Sequence, residues 1–523
     1  MVIITTFYGV WRFYSPIPFW DQWNGSIGLY VKIREGDWGA LWAQHNEHRI
    51  VFSRLLFLLD YWVFGGVNIF TVFCNMALLA LTGWTMWSAG DDNRVWRASV
   101  VGALMFSWVQ NENMTWGFES QCIAVNLFAF LAFRQLARAE RRVLHMWPAL
   151  LFCALSTVSM GNGFSSFFVA AIQLFLFRRP LKECFIMIAG GIVASAVYFW
   201  HYTPYVLPPA SGSAVSFAPL KYFAIFVGNP FFWVHGSNLL ITALIGIALL
   251  SVGAASILYL FFTRQVTPYR SFLIACYGFT VASALAASHS RWMLGLDSAT
   301  ASRYTTPTLM GYAALALLMF DIARSSRWRT AVIGMSTVAL LALATTQLAA
   351  IRSDNSGLFS RKLALLGQKI GIDHPGYDAV IYPAPLHDLF AQLATDANAY
   401  QIGPWSKGWL HDAGLVQFDP SRIDPSLCRG TFDTNPKDEV AYRATGWVVA
   451  DKYQSGDVLV LITQDGKTVG YGVSGLPRED VRKVVPGAPL DTGWIGFSRV
   501  GESTQAFAYL GGKFCPLGAP AVH

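Results

Sequence analysis

Charge is scarce in this chain. Of 523 residues only 13% are Asp, Glu, Lys or Arg, whereas 54% are hydrophobic. An ordinary soluble domain carries about 25% charged residues, so the shortage points to a polytopic membrane protein. It is uneven: residues 1 to about 350 hold repeated apolar runs, and 351–523 read as ordinary soluble sequence. The formal net charge of +7 does not imply nucleic acid, because the basic residues sit in short clusters between apolar runs, as membrane topology produces. No CxxC or Cys/His spacing is present, which argues against a zinc site of that kind. Internal repeats and mid-span ionisable residues in the later spans are also lacking, and a transporter or flippase needs both. A basic n-region and a small-residue cleavage site are absent at the start, against a cleaved signal peptide.

What is present is a series of apolar segments. Val2–Tyr14 is the first, about 13 residues against the roughly 20 a span needs, so interfacial aromatics complete it or its start lies upstream. Ile50–Phe64 carries Arg54 and Asp60 and reads as an interfacial helix ended by Gly65-Gly66. Spans are then predicted at roughly 68–89, 98–110, 120–135, 147–160, 164–178, 184–202, 237–262, 271–287, 305–323 and 329–350, eleven with the first. Tyr222–Phe232 is broken at Gly228-Asn229-Pro230 and is too short to cross. Alternate loops carry fourteen basic residues: Arg94, Arg97; Arg134, Arg138, Arg141, Arg142; Arg178, Arg179, Lys182; Arg264, Arg270; and Arg324, Arg327, Arg329. The opposite loops, 111–119, 161–163, 203–221 and 288–304, hold only Lys221, Arg291 and Arg303. The positive-inside rule puts the fourteen in the cytoplasm. The first loop, 15–66, and the C-terminal part then face outwards.

Residues 1–350 are therefore expected to be a helical membrane domain and 351–523 an external α+β domain, β-rich from about 440. Phe359–Ile370 and Leu386–Ala399 are amphipathic. A hairpin around Asp465-Gly466 joins Val458–Thr463 to Thr468–Val473. With Trp447, Trp494 and Gln505–Leu510 as further strands, a small β-sandwich is expected. Cys428 and Cys515 are the two cysteines of this part, and an oxidising compartment permits their pairing. The other five cysteines lie in or beside apolar segments as packing residues.

Three polar constellations could carry chemistry. In the first, Pro16–Arg49, Asp21 stands between Trp20 and Trp23, where partial shielding raises a carboxyl pKa and suits a general base. Glu47, with His45, His48 and Arg49, opens the interfacial helix; Glu35 and Asp37 read as solvated surface. The second is Gln110–Glu119, where Glu112, Asn113 and Glu119 are candidate hydrogen-bonding partners for sugar hydroxyls. The third is Ser290–Tyr304. Arg291 and Arg303 lie on the side that disfavours basic residues and need an anion, which a lipid-linked phosphate, a headgroup or Asp297 would supply.

In the order of these parts the chain resembles the GT-C class of integral membrane glycosyltransferases of bacterial surface-polysaccharide type, which use polyprenyl-phosphate sugar donors. The residues that carry the resemblance are Phe19-Trp-Asp-Gln-Trp23, the run His48–Gly65 ending in Phe-Gly before the second span, and Ala301-Ser-Arg-Tyr304. The resemblance implies inverting transfer of a sugar to an acceptor hydroxyl of a glycan or lipid at the outer face of a bacterial inner membrane. Asp21 would be the base and Glu47 a second catalytic carboxylate. Arg303, Arg291, Tyr304, Arg49 and His48 would bind the donor phosphate, and Glu112, Asn113, Glu119 and Trp23 the sugar or acceptor. Asp-Gln stands where many members have Asp-Glu or Asp-x-Asp, and Asn-Glu-His replaces their His-Pro-Pro turn. A divalent metal is thus an option that the resemblance leaves open. A polysaccharide or O-antigen polymerase shares this layout; a purely structural anchor does not account for the acidic loop.

On this reading Asp21→Asn, expressed to the wild-type level, abolishes transfer from a polyprenyl-phosphate sugar in membranes. Full activity in that variant would remove Asp21 from the reaction.

Overall fold

The computed structural model describes residues 1–138, 146–204, 217–323, 325–352, 356–434, 436–437, 440–450 and 457–518. Arg141, Arg142 and Arg324 of the basic clusters lie outside these. The chain forms two compact units. The first comprises Met1–Tyr14, Trp38–Phe57 and Ile69–Ser353; the second comprises Ser15–Asp37, Leu58–Asn68 and Asp354–His523. The first loop, 15–66, is divided between the units, and residues from Asp354 on belong to the second.

The first unit is helical. Among the described residues, six helices are long and apolar enough to cross a membrane: Ile69–Trp87, Leu181–Tyr198, Leu239–Phe262, Pro268–Leu294, Ser302–Ile322 and Ser326–Arg352. Ser120–Leu136, Met146–Thr157 and Gly161–Leu176 are apolar but shorter. Val2–Arg12 and Arg94–Met105 span 11 and 12 residues. Six of the eleven expected spans are thus full-length apolar helices among the described residues, and shorter helices stand at the other five places.

Their burial separates two environments. Pro268–Leu294 and Ser302–Ile322 are buried over 67% of their apolar windows, but Leu239–Phe262 and Ser326–Arg352 over only 22% and 17%. The latter present Leu244, Ile247, Leu258, Met335, Val338 and Leu341 to their surroundings. Apolar surface on that scale is stable in hydrocarbon and not in water, so the first unit inserts in a lipid bilayer.

Local chemistry sets the helix starts. Asn238 accepts from the Leu240 and Ile241 amides, Thr267 from Arg270 before Pro268, and Ser325 from Trp328, each satisfying otherwise orphaned N–H groups. Glycine allows one close crossing. A Cβ on Gly228 would strike the Thr242 carbonyl and one on Gly246 the Ala224 carbonyl, so Ala218–Gly228 packs backbone to backbone on Leu239–Phe262. The short first helix is tied in by Gln347, whose buried amide donates to Thr5 Oγ1 (2.8 Å) and Thr6 Oγ1 (3.0 Å).

The second unit contains a seven-stranded antiparallel sheet: β1 Cys428–Thr434, β2 Tyr442–Ala450, β3 Leu459–Gln464, β4 Lys467–Leu476, β5 Gly493–Ser498, β6 Gln505–Leu510 and β7 Lys513–Leu517, in the order β1-β2-β5-β4-β3-β6-β7. Asp465 and Gly466 both have positive φ, as the tight turn between β3 and β4 requires. The two outermost strands meet at Gly518, which donates to Gly430 O (3.2 Å) and accepts from Phe432 N (2.8 Å). This bridge joins the two end strands, and among the described residues the expected two-sheet sandwich is a single sheet. Val460, Ile462, Trp494, Ala506 and the Cys428–Cys515 disulfide share one face. Leu459, Leu461, Phe497 and Phe507 share the other, covered by Phe359, Leu363 and Leu366 of helix Ser356–Ile370. Both faces are buried, hence the unbroken run Leu-Val-Leu-Ile in β3.

The pieces of the first loop in this unit are anchored by polar contacts. Gln22 Nε2 donates to Asn68 Oδ1 (2.7 Å), and Asn68 Nδ2 to Ser15 O (3.1 Å). Asp60 accepts from the Asn68 amide at 3.3 Å, but it is buried and its Oδ1 has no hydrogen-bond partner. Burial, partly offset by that amide, pushes its carboxyl from 3.8 up to about 6. A raised carboxyl favours folding while protonated. Its contribution is full below pH 3.8 and is lost as pH rises through about 6. Asp60→Asn should flatten that decline in the thermal unfolding of the detergent-solubilised protein and stabilise it at pH 7.5 by about 2–3 kcal/mol. An unchanged pH profile would contradict the assignment.

Candidate functional site

Within the first unit a cavity of about 490 Å³ opens among the ends of several helices. That volume suits a small organic ligand or a sugar phosphate. Glu47, His48, Arg291, Arg303 and Tyr304 line it, with Asn126, Asn162, Tyr198, Tyr202 and His289.

Glu47 sits in a tight turn. His45 N donates to His48 O (2.7 Å) and His48 N to His45 O (2.8 Å). Asn46 adopts φ +48°, a conformation asparagine tolerates. The turn presents Glu47 to Arg291, with which it forms an ion pair, and His48 Nε2 lies 3.7 Å from the same carboxylate oxygen. Behind the turn, a Cβ on Gly161 would lie 2.8 Å from His48 Nδ1, so the glycine leaves room for the imidazole.

Arg291 Nη1 donates to the Tyr304 hydroxyl at 2.7 Å, and the guanidiniums of Arg291 and Arg303 lie 5.8 and 5.3 Å from the Tyr304 ring. The start of Ser302–Ile322 holds Arg303 in place. Its amide donates to Glu112 Oε2 at 3.0 Å, and its guanidinium approaches the same oxygen at 3.6 Å. Glu112 thus caps the helix and neutralises the arginine together. Pro307 has no N–H and frees the Arg303 carbonyl four residues earlier. Asn113 Nδ2 takes that carbonyl at 2.9 Å and reaches Thr306 Oγ1 at 2.6 Å.

Several sequence-based roles shift accordingly. Arg291 and Arg303, expected to meet a lipid-linked phosphate, a headgroup or Asp297, face Glu47 and Glu112. Arg49 is 3% exposed, and its three guanidinium nitrogens donate to the Tyr198, Trp42 and Trp200 carbonyls; it clamps backbone and does not line the cavity. Asn113 is fully buried on the helix start, and buried Glu119 accepts from Cys122 at 2.9 Å, so neither is in the cavity lining. Trp23 is buried in the second unit against Phe390 and Trp405 and presents no sugar platform.

Asp21 belongs to the second unit, half-buried. The preceding Trp20 has φ +46° and donates from its amide to Ile381 O at 2.9 Å. Such backbone is rare for a bulky residue and concentrates at functional positions. Burial, assisted by the charge of Asp21, pushes the nearby Tyr382 hydroxyl up to about 12. In the same unit Asp373, Asp378 and His387 bring donor atoms within 4.8 Å of one another and could hold a metal ion.

Sequence reasoning passed over Asn126 and Asn162. Asn126 is 1% exposed within an apolar helix and donates to Cys122 O; Asn162 donates to Ser283 Oγ at 2.8 Å. The Oδ1 of each is buried without a hydrogen-bond partner. An amide in the middle of Ser120–Leu136 was the available signal. Comparisons with protein-family models, with curated proteins and with solved structures find no match for this chain.

Asn113→Ala leaves the Arg303 carbonyl unpaired. It should destabilise the protein by about 1–3 kcal/mol and reduce turnover through misplacement of Arg303. Wild-type stability and turnover would show that Pro307 is accommodated by other means.

Proposed function

We propose that the protein is a membrane glycosyltransferase that moves a sugar from a polyprenyl-phosphate donor to an acceptor hydroxyl at the outer face of the membrane, with inversion. The observation that supports this reading best is the cavity that gathers Glu47, His48, Arg291, Tyr304 and Arg303 within a bilayer-embedded helical unit. Two guanidiniums beside a tyrosine hydroxyl suit a phosphate whose lipid tail lies in the bilayer. Two unpartnered amide oxygens, on Asn126 and Asn162, suit hydroxyl donors on the same ligand.

In this mechanism the donor phosphate binds Arg291 and Arg303 and competes with Glu47 and Glu112 for them. Phosphate displacing Glu47 from Arg291 frees a carboxylate beside His48. That carboxylate accepts the proton of the acceptor hydroxyl as its oxygen attacks the anomeric carbon. The bond from that carbon to the phosphate oxygen breaks, and the leaving charge falls on the two arginines, fixed cations that stabilise it most as it develops. The sequence favours Asp21 as base, whereas the cavity lining favours Glu47. Orientation follows the basic clusters, with the N-terminus cytoplasmic and the second unit external.

The two carboxylates are told apart by substitution. Glu47→Gln in proteoliposomes with a polyprenyl-phosphate sugar should lower kcat by at least about 100-fold while donor KM changes less than about threefold, the pattern of a lost general base. Arg303→Ala should instead raise donor KM. Near-normal kcat in Glu47→Gln, with loss in Asp21→Asn, would transfer the role of base to Asp21.

A further inference from the structure

A second cluster of chemistry-bearing side chains lies within the second unit and has no part in the proposal above. Asp373 precedes the helix Pro375–Ile381, Asp378 lies on it, and His387 begins the helix His387–Ala399. The three line a cavity of about 150 Å³ with Tyr382 and Phe390.

Asp378 is the unusual member. Its residue is 5% exposed, and its Oδ2 lines this space without a hydrogen-bond partner. Among the described residues no lysine or arginine pairs with it or with Asp373. A carboxylate oxygen buried without a hydrogen bond is costly to keep ionised, and a bound cation would offset that cost. His387 does not fill that place by hydrogen bonding. Its Nδ1 stands 3.8 Å from Asp378 Oδ2 and its Nε2 3.9 Å from Asp373 Oδ2, beyond hydrogen-bond length. Taking one atom from each residue, a His387 ring nitrogen and one carboxylate oxygen of each aspartate lie within 4.8 Å of one another, so a single ion between them is in reach of all three.

We infer that Asp373, Asp378 and His387 form a binding site for a divalent transition-metal cation. Two carboxylates balance the ion's charge, and the imidazole nitrogen directs the choice away from Ca²⁺ and Mg²⁺, which take oxygen ligands, towards Zn²⁺ or Mn²⁺. Three protein ligands leave coordination positions for water or an anionic oxygen. The spacing Asp-x4-Asp-x8-His in the sequence matches no thiolate or paired-histidine pattern, which is why a search for those patterns passes it by.

The test needs no sugar donor, so it stands or falls apart from glycosyl transfer. The purified full-length protein is stripped with EDTA in detergent and titrated calorimetrically with ZnCl2 and with MnCl2, and its metal content is measured by mass spectrometry. One equivalent of Zn²⁺ or Mn²⁺ should bind saturably. Asp378→Asn and His387→Ala should each weaken Kd at least about 100-fold, and the exposed Asp373→Asn about 10-fold. Asp373→Asn also serves where the buried variant fails to fold, because an exposed substitution leaves the circular dichroism spectrum unchanged. No stoichiometric binding of either ion, or undiminished binding in Asp373→Asn and His387→Ala, would overturn the assignment.

Discussion

A guanidinium at the end of an apolar helix needs acceptors or an anion to meet it, and two such groups met by carboxylates organise the first unit. Arg291 ends one long helix and Arg303 begins another, and each is met by a carboxylate distant in sequence, Glu47 from a tight turn and Glu112 from the short helix Asn111–Thr115. The Tyr304 ring lies beside both. The Glu47–Arg291 pair is the less exposed of the two and the more sensitive to the loss of one partner. The two pairs bring the turn His45–His48, the segment Gln110–Thr115 and the two helices to one place. An arriving phosphate would exchange one anion for another, without stripping a bare cation from water.

Beyond this network, the division of labour among the helices follows from what they touch. Central helices such as Ser120–Leu136 and Ser302–Ile322 carry amides and hydroxyls on buried faces, each needing a partner. Asn113 on the Arg303 carbonyl and Thr280 on the Pro307 carbonyl (2.9 Å) are such pairings. Peripheral helices such as Leu239–Phe262 carry almost uniform apolar surface, because lipid asks nothing more of them. Asn126 and Asn162 each keep a buried amide oxygen without a hydrogen-bond partner among the described residues, and both line the cavity.

The sequence made some of this legible. Apolar runs located the helices, and the Asp465-Gly466 turn, the amphipathic helices and the Cys428–Cys515 pair were readable because each depends on local chemistry or on composition. Arg291 and Arg303 stood out as basic residues in loops that hold few. Other features depend on contacts between distant segments. The ion pair of Glu47 with Arg291 joins residues 244 apart in sequence. The contact of β7 with β1 rests on Gly518, and neither β1 nor β7 has the continuous apolar run that marks β3. Arg49 beside two histidines looked like an anion site, yet the same donors serve three carbonyls as well. The pull of Trp-Asp-Gln-Trp towards a catalytic role came partly from aromatics and an amide whose contacts are structural: Trp23 fills a core and Gln22 fastens Asn68.

The account stands on the anion specificity of that cavity. Its most direct measurement is binding of a short-chain polyprenyl phosphate, without any sugar, to the protein in nanodiscs of neutral lipid. Saturable binding by the wild type, weakened at least about tenfold in both Arg291→Ala and Arg303→Ala and displaced by the corresponding sugar-linked lipid, is the predicted result. Equal binding by wild type and both variants, or none by any, would contradict the claim that these two arginines receive a lipid-linked phosphate.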